Sequence, residues 1–218
     1  NINGEIVLET WNRDQVEVSA DISVRAGDKA QAKRYLENVE IVVRQRGNEL
    51  SIRIDLPSSH GSGFMDWVFG AGKPQASVDF WIKAPPETDI RASSVNGSIE
   101  AVGLDGHANL STTNGKVVAE NMRGTVDAGT TNGGIYVEID QPRLRNDMKF
   151  HTVNGSIKLY IPQNVRADVD ISTVNGNIHT DFPLQVEGKW GPKNVHGEIN
   201  GAGRRIDLST VTGSVSLL

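Results

Sequence analysis

The chain contains no cysteine among its 218 residues. This absence excludes disulfide bonds, thiolate nucleophiles and the cysteine ligands of zinc and iron–sulfur sites. No apolar run approaches the roughly 20 residues that a membrane-spanning helix requires. The chain opens at Asn1 rather than Met, as a mature fragment would, which leaves room for a removed signal peptide or anchor.

Basic residues and aromatic residues are also scarce. Lys and Arg number 22 against 27 Asp and Glu, for a formal net charge of −5. Without a clustered basic face, nucleic acid is not expected as a partner. Only 6% of the residues are aromatic, whereas 23 are glycine, a composition that favours short strands and turns over helix bundles.

An internal repeat is the strongest feature present. The segment Ser-Val-Asn-Gly-Ser-Ile at residues 94–99 recurs along the C-terminal half, with its glycines in steps of 16 to 22 residues. Such a period is typical of solenoids. Weaker copies are centred on Gly197 and Gly213. The predicted structural turns are Asn96, Gly97, Asn114, Gly115, Asn132, Gly133, Asn154, Gly155, Asn175 and Gly176.

Apolar residues alternate with polar ones on both sides of each repeat glycine. This period of two predicts two half-buried strands per repeat, joined at an Asn-Gly corner. Asn and Gly tolerate positive φ, and we expect that a corner with positive φ explains why these two residues recur there. Gly106 and Gly124 predict a second row of turns. If successive repeats stack in order, Ile157 and Ile178 should touch in the core.

Two all-β architectures fit this pattern. In a β-solenoid of about six to seven repeats, like residues form ladders along the axis. In an antiparallel β meander, each Asn-Gly pair would close a hairpin. The same residue types recur at the same offsets, which stacking rewards and hairpins do not demand, so we favour the solenoid.

The chain divides into a β-rich N-terminal cap over residues 1–90 and the repetitive solenoid over 91–218, continuous with each other. The cap should contain one helix over residues 28–38, capped by Asp28, and a hairpin turn at Gly47-Asn48. Residues 3–7 imitate the repeat. A solenoid needs such a cap because its ends expose unpaired edges.

Candidate catalytic and metal-binding residues are few. The five histidines lack the spacing of a metal site, and the recurring aspartate of calcium-binding β-rolls does not occur. We expect no catalytic residue, no metal and no cofactor. The exception is an insertion at residues 58–73, which gathers Phe64, Met65, Trp67 and Phe69. Such a loop is either a lid over the core or a contact surface for self-association or a partner.

The Asn-Gly repeats and the segment Glu-Thr-Trp-Asn-Arg-Asp-Gln-Val-Glu-Val at residues 9–18 resemble a bacterial family of candidate adhesins of unknown function. The resemblance covers nearly the whole chain. It implies a β-solenoid, an envelope-associated and extracytoplasmic location (periplasm, outer membrane or cell surface), and no catalytic residues.

Three functions remain open. The first is a noncatalytic structural or adhesion-type module with a protein or cell-surface partner. The second is a regulatory or assembly partner in an envelope-stress system. The third, a carbohydrate-active β-helix enzyme, would need paired carboxylates. The acidic residues of the repeats scatter without such pairing, so we expect a protein that is not an enzyme.

Overall fold

The computed structural model describes residues 1–57, 74–140, 145–187 and 193–218. The N-terminal elements are β1 (Ile6–Thr10), β2 (Glu17–Arg25), α1 (Lys29–Leu36), β3 (Glu40–Arg46), β4 (Glu49–Asp55) and β5 (Gln75–Ala84). The repeats form β6 (Ile90–Asn96), β7 (Ile99–Val102), β8 (Ala108–Asn114), β9 (Val117–Met122), β10 (Val126–Asn132), β11 (Ile135–Ile139), β12 (Met148–Asn154) and β13 (Ile157–Tyr160). The remaining strands are β14 (Ala167–Asn175), β15 (Ile178–Thr180), β16 (Gln185–Glu187), β17 (Lys193–Ile199), β18 (Arg204–Thr212) and β19 (Val215–Leu217).

Two large sheets face each other. One has nine strands in the order β15-β19-β13-β11-β9-β7-β1-β5-β2, and the other has eight in the order β16-β17-β14-β18-β12-β10-β8-β6. Each Asn-Gly corner joins a strand of the eight-stranded sheet to a strand of the nine-stranded sheet. We call such a pair of strands, with its corner, one coil.

The coils stack in parallel and in register. Val117 pairs with Ile99 on one side and with Ile135 on the other, and the ladder continues from Ile135 to Ile157. Parallel pairing of this kind defines a β-solenoid-like fold and rules out hairpins at the Asn-Gly corners. The predicted solenoid is therefore confirmed, and the antiparallel meander is wrong.

The core fills the space between the inner faces of the two sheets. Leu110, Phe150 and Leu208 project from the eight-stranded sheet, and each is at most 1% exposed. Val117 and Ile157 project from the opposite sheet and are fully buried. Alternate residues of these strands face outward, so the period of two in the sequence correctly identified the buried set.

The last coil of the chain does not stack at the end. Strands β18 and β19 lie between the coil of β12 and β13 and the coil of β14 and β15. Val215 consequently pairs with Ile157 on one side and with Ile178 on the other. The expected contact between Ile157 and Ile178 is therefore wrong, because a later segment separates them.

The weak repeat centred on Gly197 is not a coil. It lies within β17, which runs antiparallel to β14 and pairs Gly197 with Val169. Strand β16 pairs antiparallel with β17 and ends the eight-stranded sheet. The prediction of a corner at Gly197 is wrong, whereas the equally weak copy at Gly213 forms a genuine corner between β18 and β19.

The N-terminal region extends the nine-stranded sheet. Strand β1 lies between β7 and β5 and is parallel to both, and β2 pairs antiparallel with β5. Strands β3 and β4 form the predicted hairpin, with Gly47 at positive φ. Helix α1 is confirmed, since the Asp28 carboxylate accepts a 2.8 Å hydrogen bond from the Gln31 N–H. The division of the chain at residue 90 stays a prediction.

None of the helices in the described part of the chain is long and apolar enough to cross a membrane.

Candidate functional site

The repeat glycines are required by close stacking of the backbone. Gly115, Gly133, Gly155 and Gly176 do not adopt the left-handed conformations that the sequence suggested to us. A Cβ atom on Gly155 would instead overlap the carbonyl oxygen of Gly133 in the neighbouring coil. The same overlap recurs at each of these glycines. The positive-φ explanation is therefore wrong at these corners, and glycine is needed because the next backbone lies where a side chain would start.

The corner asparagines form a continuous hydrogen-bonded ladder on the surface. Each side-chain amide donates to the amide oxygen of the preceding coil, from Asn96 to Asn3, Asn114 to Asn96, Asn132 to Asn114 and Asn154 to Asn132, at 2.8 to 2.9 Å. An amide suits this role because it carries a donor and an acceptor. The asparagines thus stabilise the stack.

A buried row of threonines lies just before the asparagines. Thr112, Thr130, Thr152, Thr210 and Thr173 each donate a hydrogen bond of 2.8 to 3.0 Å to a glycine carbonyl of the adjacent coil. Ser94 occupies the equivalent position in the coil of β6 and β7, but its buried hydroxyl has no hydrogen-bond partner among the described residues. These bonds satisfy polar groups inside the core, as burial requires.

Between the threonine row and the asparagine ladder lies one outward-facing residue per coil, which is exposed in five of the six coils and half-buried at Val153. We call this row the corner stripe, and its members in spatial order are Val95, Thr113, Thr131, Val153, Val211 and Val174. Three of its valines are exposed by 39% to 43%. Val211 and Val174 lie on adjacent strands, whereas Thr113 and Thr131 separate Val95 from the other valines. The row is a candidate contact surface of short β-branched side chains. The sequence contained this row, but its order could not be read without the stacking order.

Titratable residues on the outer faces form local ion pairs. Asp170 contacts His196 at 2.6 Å and Arg205 at 2.7 Å, which ties β14 to both of its neighbours. His107 lies 3.5 Å from Asp127. Within the described ranges, no group of three or more His, Cys, Asp or Glu side chains could hold a metal ion.

Two tyrosines on the outer face of the nine-stranded sheet form an aromatic pair that the sequence reading missed. The rings of Tyr136 and Tyr160 lie 5.5 Å apart and are tilted by 49°. Desolvation, together with the negative charge of Glu138, raises the pKa of Tyr136. Parallel pairing sets Tyr136 of β11 opposite Lys158 of β13 and Glu138 opposite Tyr160, so the two tyrosines lie on the same face as diagonal neighbours.

The predicted contact loop cannot be assigned a place in this site. Phe64, Met65, Trp67 and Phe69 lie outside the described residues, so the choice between a lid and a contact surface stays a prediction.

A cleft of about 640 Å³ opens beside β6, the edge strand of the eight-stranded sheet. Ile6, Leu8 and Phe80 of the nine-stranded sheet line one side of it, and Ile52 and Ile54 of the β3–β4 hairpin line another. The rim carries Arg46, Arg53, Arg91, Glu49 and Asp89. A volume of this size lies within the usual range of ligand sites.

A family model described as Toastrack, DUF4097, matches residues 17–218 of the chain. No curated protein matches it. Among solved structures, the chain is similar to a candidate cell adhesion protein from Clostridium sporogenes, with 11% sequence identity and a TM-score of 0.47. The alignment covers 98% of this chain and 87% of the other. A likeness at this level carries no argument about fold or function.

Proposed function

The chain belongs to the Toastrack DUF4097 family, and from that premise we propose that it is a noncatalytic structural or adhesion-type module of the bacterial envelope, acting outside the cytoplasm. The corner stripe is the observation that carries the proposal. It presents a row of short β-branched side chains on a rigid scaffold, and the asparagine ladder runs along one side of this row.

The scaffold supports this role because its backbone is fixed on every side. Adjacent coils are joined by ladder hydrogen bonds, by the asparagine ladder and by the threonine row. A surface held in this way loses little conformational entropy when a partner docks on it. Rigid presentation of a repeated row suits binding to an extended or repetitive partner, such as a surface polymer or another envelope protein.

The test is a binding measurement with a charged stripe. We expect the triple variant Val95→Lys, Val174→Lys and Val211→Lys to lose at least about tenfold in affinity for isolated envelope fractions, because three ammonium groups replace the exposed apolar side chains of the stripe. Its melting temperature should change little, since all three side chains are solvent-exposed.

A matched control uses three other exposed apolar residues. Val16, Leu36 and Val43 are exposed by 38%, 41% and 54% and lie outside the stripe. Their triple change to Lys adds the same charge and should leave binding unchanged. Equal loss of affinity in both variants would show a general charge effect and would contradict the role of the stripe.

A regulatory or assembly partner in an envelope-stress system would use the same surface. The two functions differ in what the stripe variant affects in cells. Loss of surface binding with a normal stress response supports the adhesion-type module, whereas an altered stress response with unchanged surface binding supports the regulatory partner.

A carbohydrate-active enzyme is the remaining alternative, and the Tyr136–Tyr160 pair is the observation that favours it. Aromatic faces are common in sites that hold flat apolar ligand surfaces. Hydrolysis of envelope glycans by the purified protein, lost on changing Tyr136 and Tyr160 to Ala, would replace the proposed function with this one.

A further inference from the structure

The first coil of the solenoid is incomplete within the described residues. Gly4 stacks on Gly97, and Asn3 bridges to Asn96, so residues 3 and 4 form a corner equivalent to those of the repeats. Strand β1 follows that corner, as β7 follows Gly97. By the same register, Asn1 corresponds to Ser94 of β6. The strand that should precede Asn1 in this coil would lie beside β6, opposite β1.

The position beside β6 is only partly filled. The Asn96 N–H donates to the Ile2 carbonyl at 2.7 Å, and the Asn1 amino group donates to the Ser93 carbonyl at 2.7 Å. Residues 1–3 therefore cover the C-terminal half of the edge. The N-terminal half, residues 90–92, faces the cleft.

At this point the backbone of β6 offers groups that have no partner among the described residues. The Ile90 N–H donates to His107 at the β8 side. Because backbone groups alternate in direction along a strand, those of Arg91 point away from β8 and into the cleft. An open edge of this kind binds an added strand through main-chain hydrogen bonds.

The walls of the cleft suit a strand in which apolar residues alternate with polar ones. Residues opposite Ala92 and Ile90 would face Leu8 and Phe80 on one side and Ile54 on the other, which are apolar. The intervening residues would point outward toward Arg91 and the other charged groups of the rim. The required pattern is that of the repeat itself, as in Met148 and Phe150 of β12.

We propose that this cleft is the seat of an added β-strand, parallel to β6 and in register with it, which is joined to the amino group of Asn1. The occupant is the polypeptide segment directly before Asn1. The Asn1 nitrogen already lies where a ladder N–H would donate to Ser93. Burial lowers the pKa of this amino group, and a neutral peptide N–H in its place removes that desolvation cost. The inference is independent of the adhesion-type role.

The test adds a strand of known register. A copy of residues 146–151, Asn-Asp-Met-Lys-Phe-His, is fused directly before Asn1, so that its Phe and Met fall opposite Ala92 and Ile90. We expect the melting temperature to rise by at least about 4 °C, because the fusion buries two large apolar side chains. Hydrogen exchange of the Arg91 amide should slow by at least about tenfold.

The matched control is a fused segment of the same amino-acid composition in which the apolar and charged residues exchange places. The fusion Asn-Met-Asp-Phe-Lys-His places Asp and Lys at the inward positions, and it should give neither the rise in melting temperature nor the protection of Arg91. An equal effect of both fusions, or no effect of the first, overturns the proposal.

A separate peptide distinguishes the remaining occupant. If free Asn-Asp-Met-Lys-Phe-His binds the protein and protects Arg91 while the fused copy does not, the cleft is a docking site for another chain, and the proposed connection to Asn1 is wrong. If only the fused copy protects Arg91, the strand belongs to the first coil.

Discussion

The coils from β6 to β13 and the coil of β18 and β19 are built from the same inward residues but reach their places by different routes. The earlier coils stack in the order of the sequence, each beside the one before it. The last coil lies between two coils that precede it in the sequence. The difference shows that the motif specifies which residues pair across neighbouring coils, but does not specify which coils become neighbours.

The inserted coil makes the same kinds of contact with its neighbours as the earlier coils do. Leu208 pairs with Phe150 on one side and with Ile171 on the other, as Leu110 pairs with Ala92 and Ala128. The Thr210 hydroxyl donates to Gly155, as that of Thr130 donates to Gly115. The asparagine ladder, in contrast, has Thr212 at the inserted coil.

Removing the last coil should have the largest effect. A chain that ends at Gly201 leaves β12 and β14 each without a partner on one side and uncovers the core that Ile206, Leu208, Val215 and Leu217 fill. At about 1.5–3 kcal/mol for each buried aliphatic side chain, the loss is comparable to the whole stability of a domain. We expect the truncated chain to show no cooperative thermal unfolding transition by circular dichroism.

The control keeps the coil but breaks its covalent link. Cleavage at a protease site inserted after Gly201 should leave β18 and β19 in place, because they are held by pairing on both sides. A truncated chain that melts like the nicked one would show that the last coil is not needed to hold its neighbours together.

Glycine substitutions should give an intermediate effect in both regions. Gly155→Ala and Gly213→Ala each place a methyl group on a carbonyl oxygen of the adjacent coil, and Gly213 also has φ at +148°. We expect each change to lower the free energy of unfolding by about 3 kcal/mol, measured by urea denaturation.

Gly129 provides the control for these changes. A Cβ atom there would have its nearest neighbour at 3.9 Å, so Gly129→Ala should be neutral or stabilising by about 0.4–1 kcal/mol. A loss at Gly155 no larger than that at Gly129 would contradict the close-stacking explanation of the corners.

The asparagine ladder should give the smallest effect and separates the two regions most clearly. Asn132→Ala breaks two exposed amide hydrogen bonds and should cost about 1 kcal/mol. Thr212→Asn should stabilise by about 0.5–1 kcal/mol, because an amide there can continue the ladder from Asn154. If denaturation shows no stabilisation by Thr212→Asn, or the same stabilisation with Asn154 and in an Asn154→Ala background, the ladder is not continued through the inserted coil.

The sequence by itself determined the local and periodic features of this protein. Alternation around each glycine identified the buried set, including Phe150 and Ile157, because the direction of a side chain in a strand depends only on its position along that strand. Asp28 marked the helix start, and Gly47-Asn48 marked the hairpin, because caps and turns are specified by adjacent residues.

Only the tertiary structure decided which coils are neighbours and what lies at the corners. Every coil exposes nearly the same edge, so a segment from later in the chain can pair there as well as the next repeat, and the connection that permits it has no signature in the motif. For the same reason Gly197 resembled a corner while lying in an antiparallel strand. The need for glycine at position 155 became visible only with the carbonyl of Gly133 beside it, since that contact joins residues of different coils.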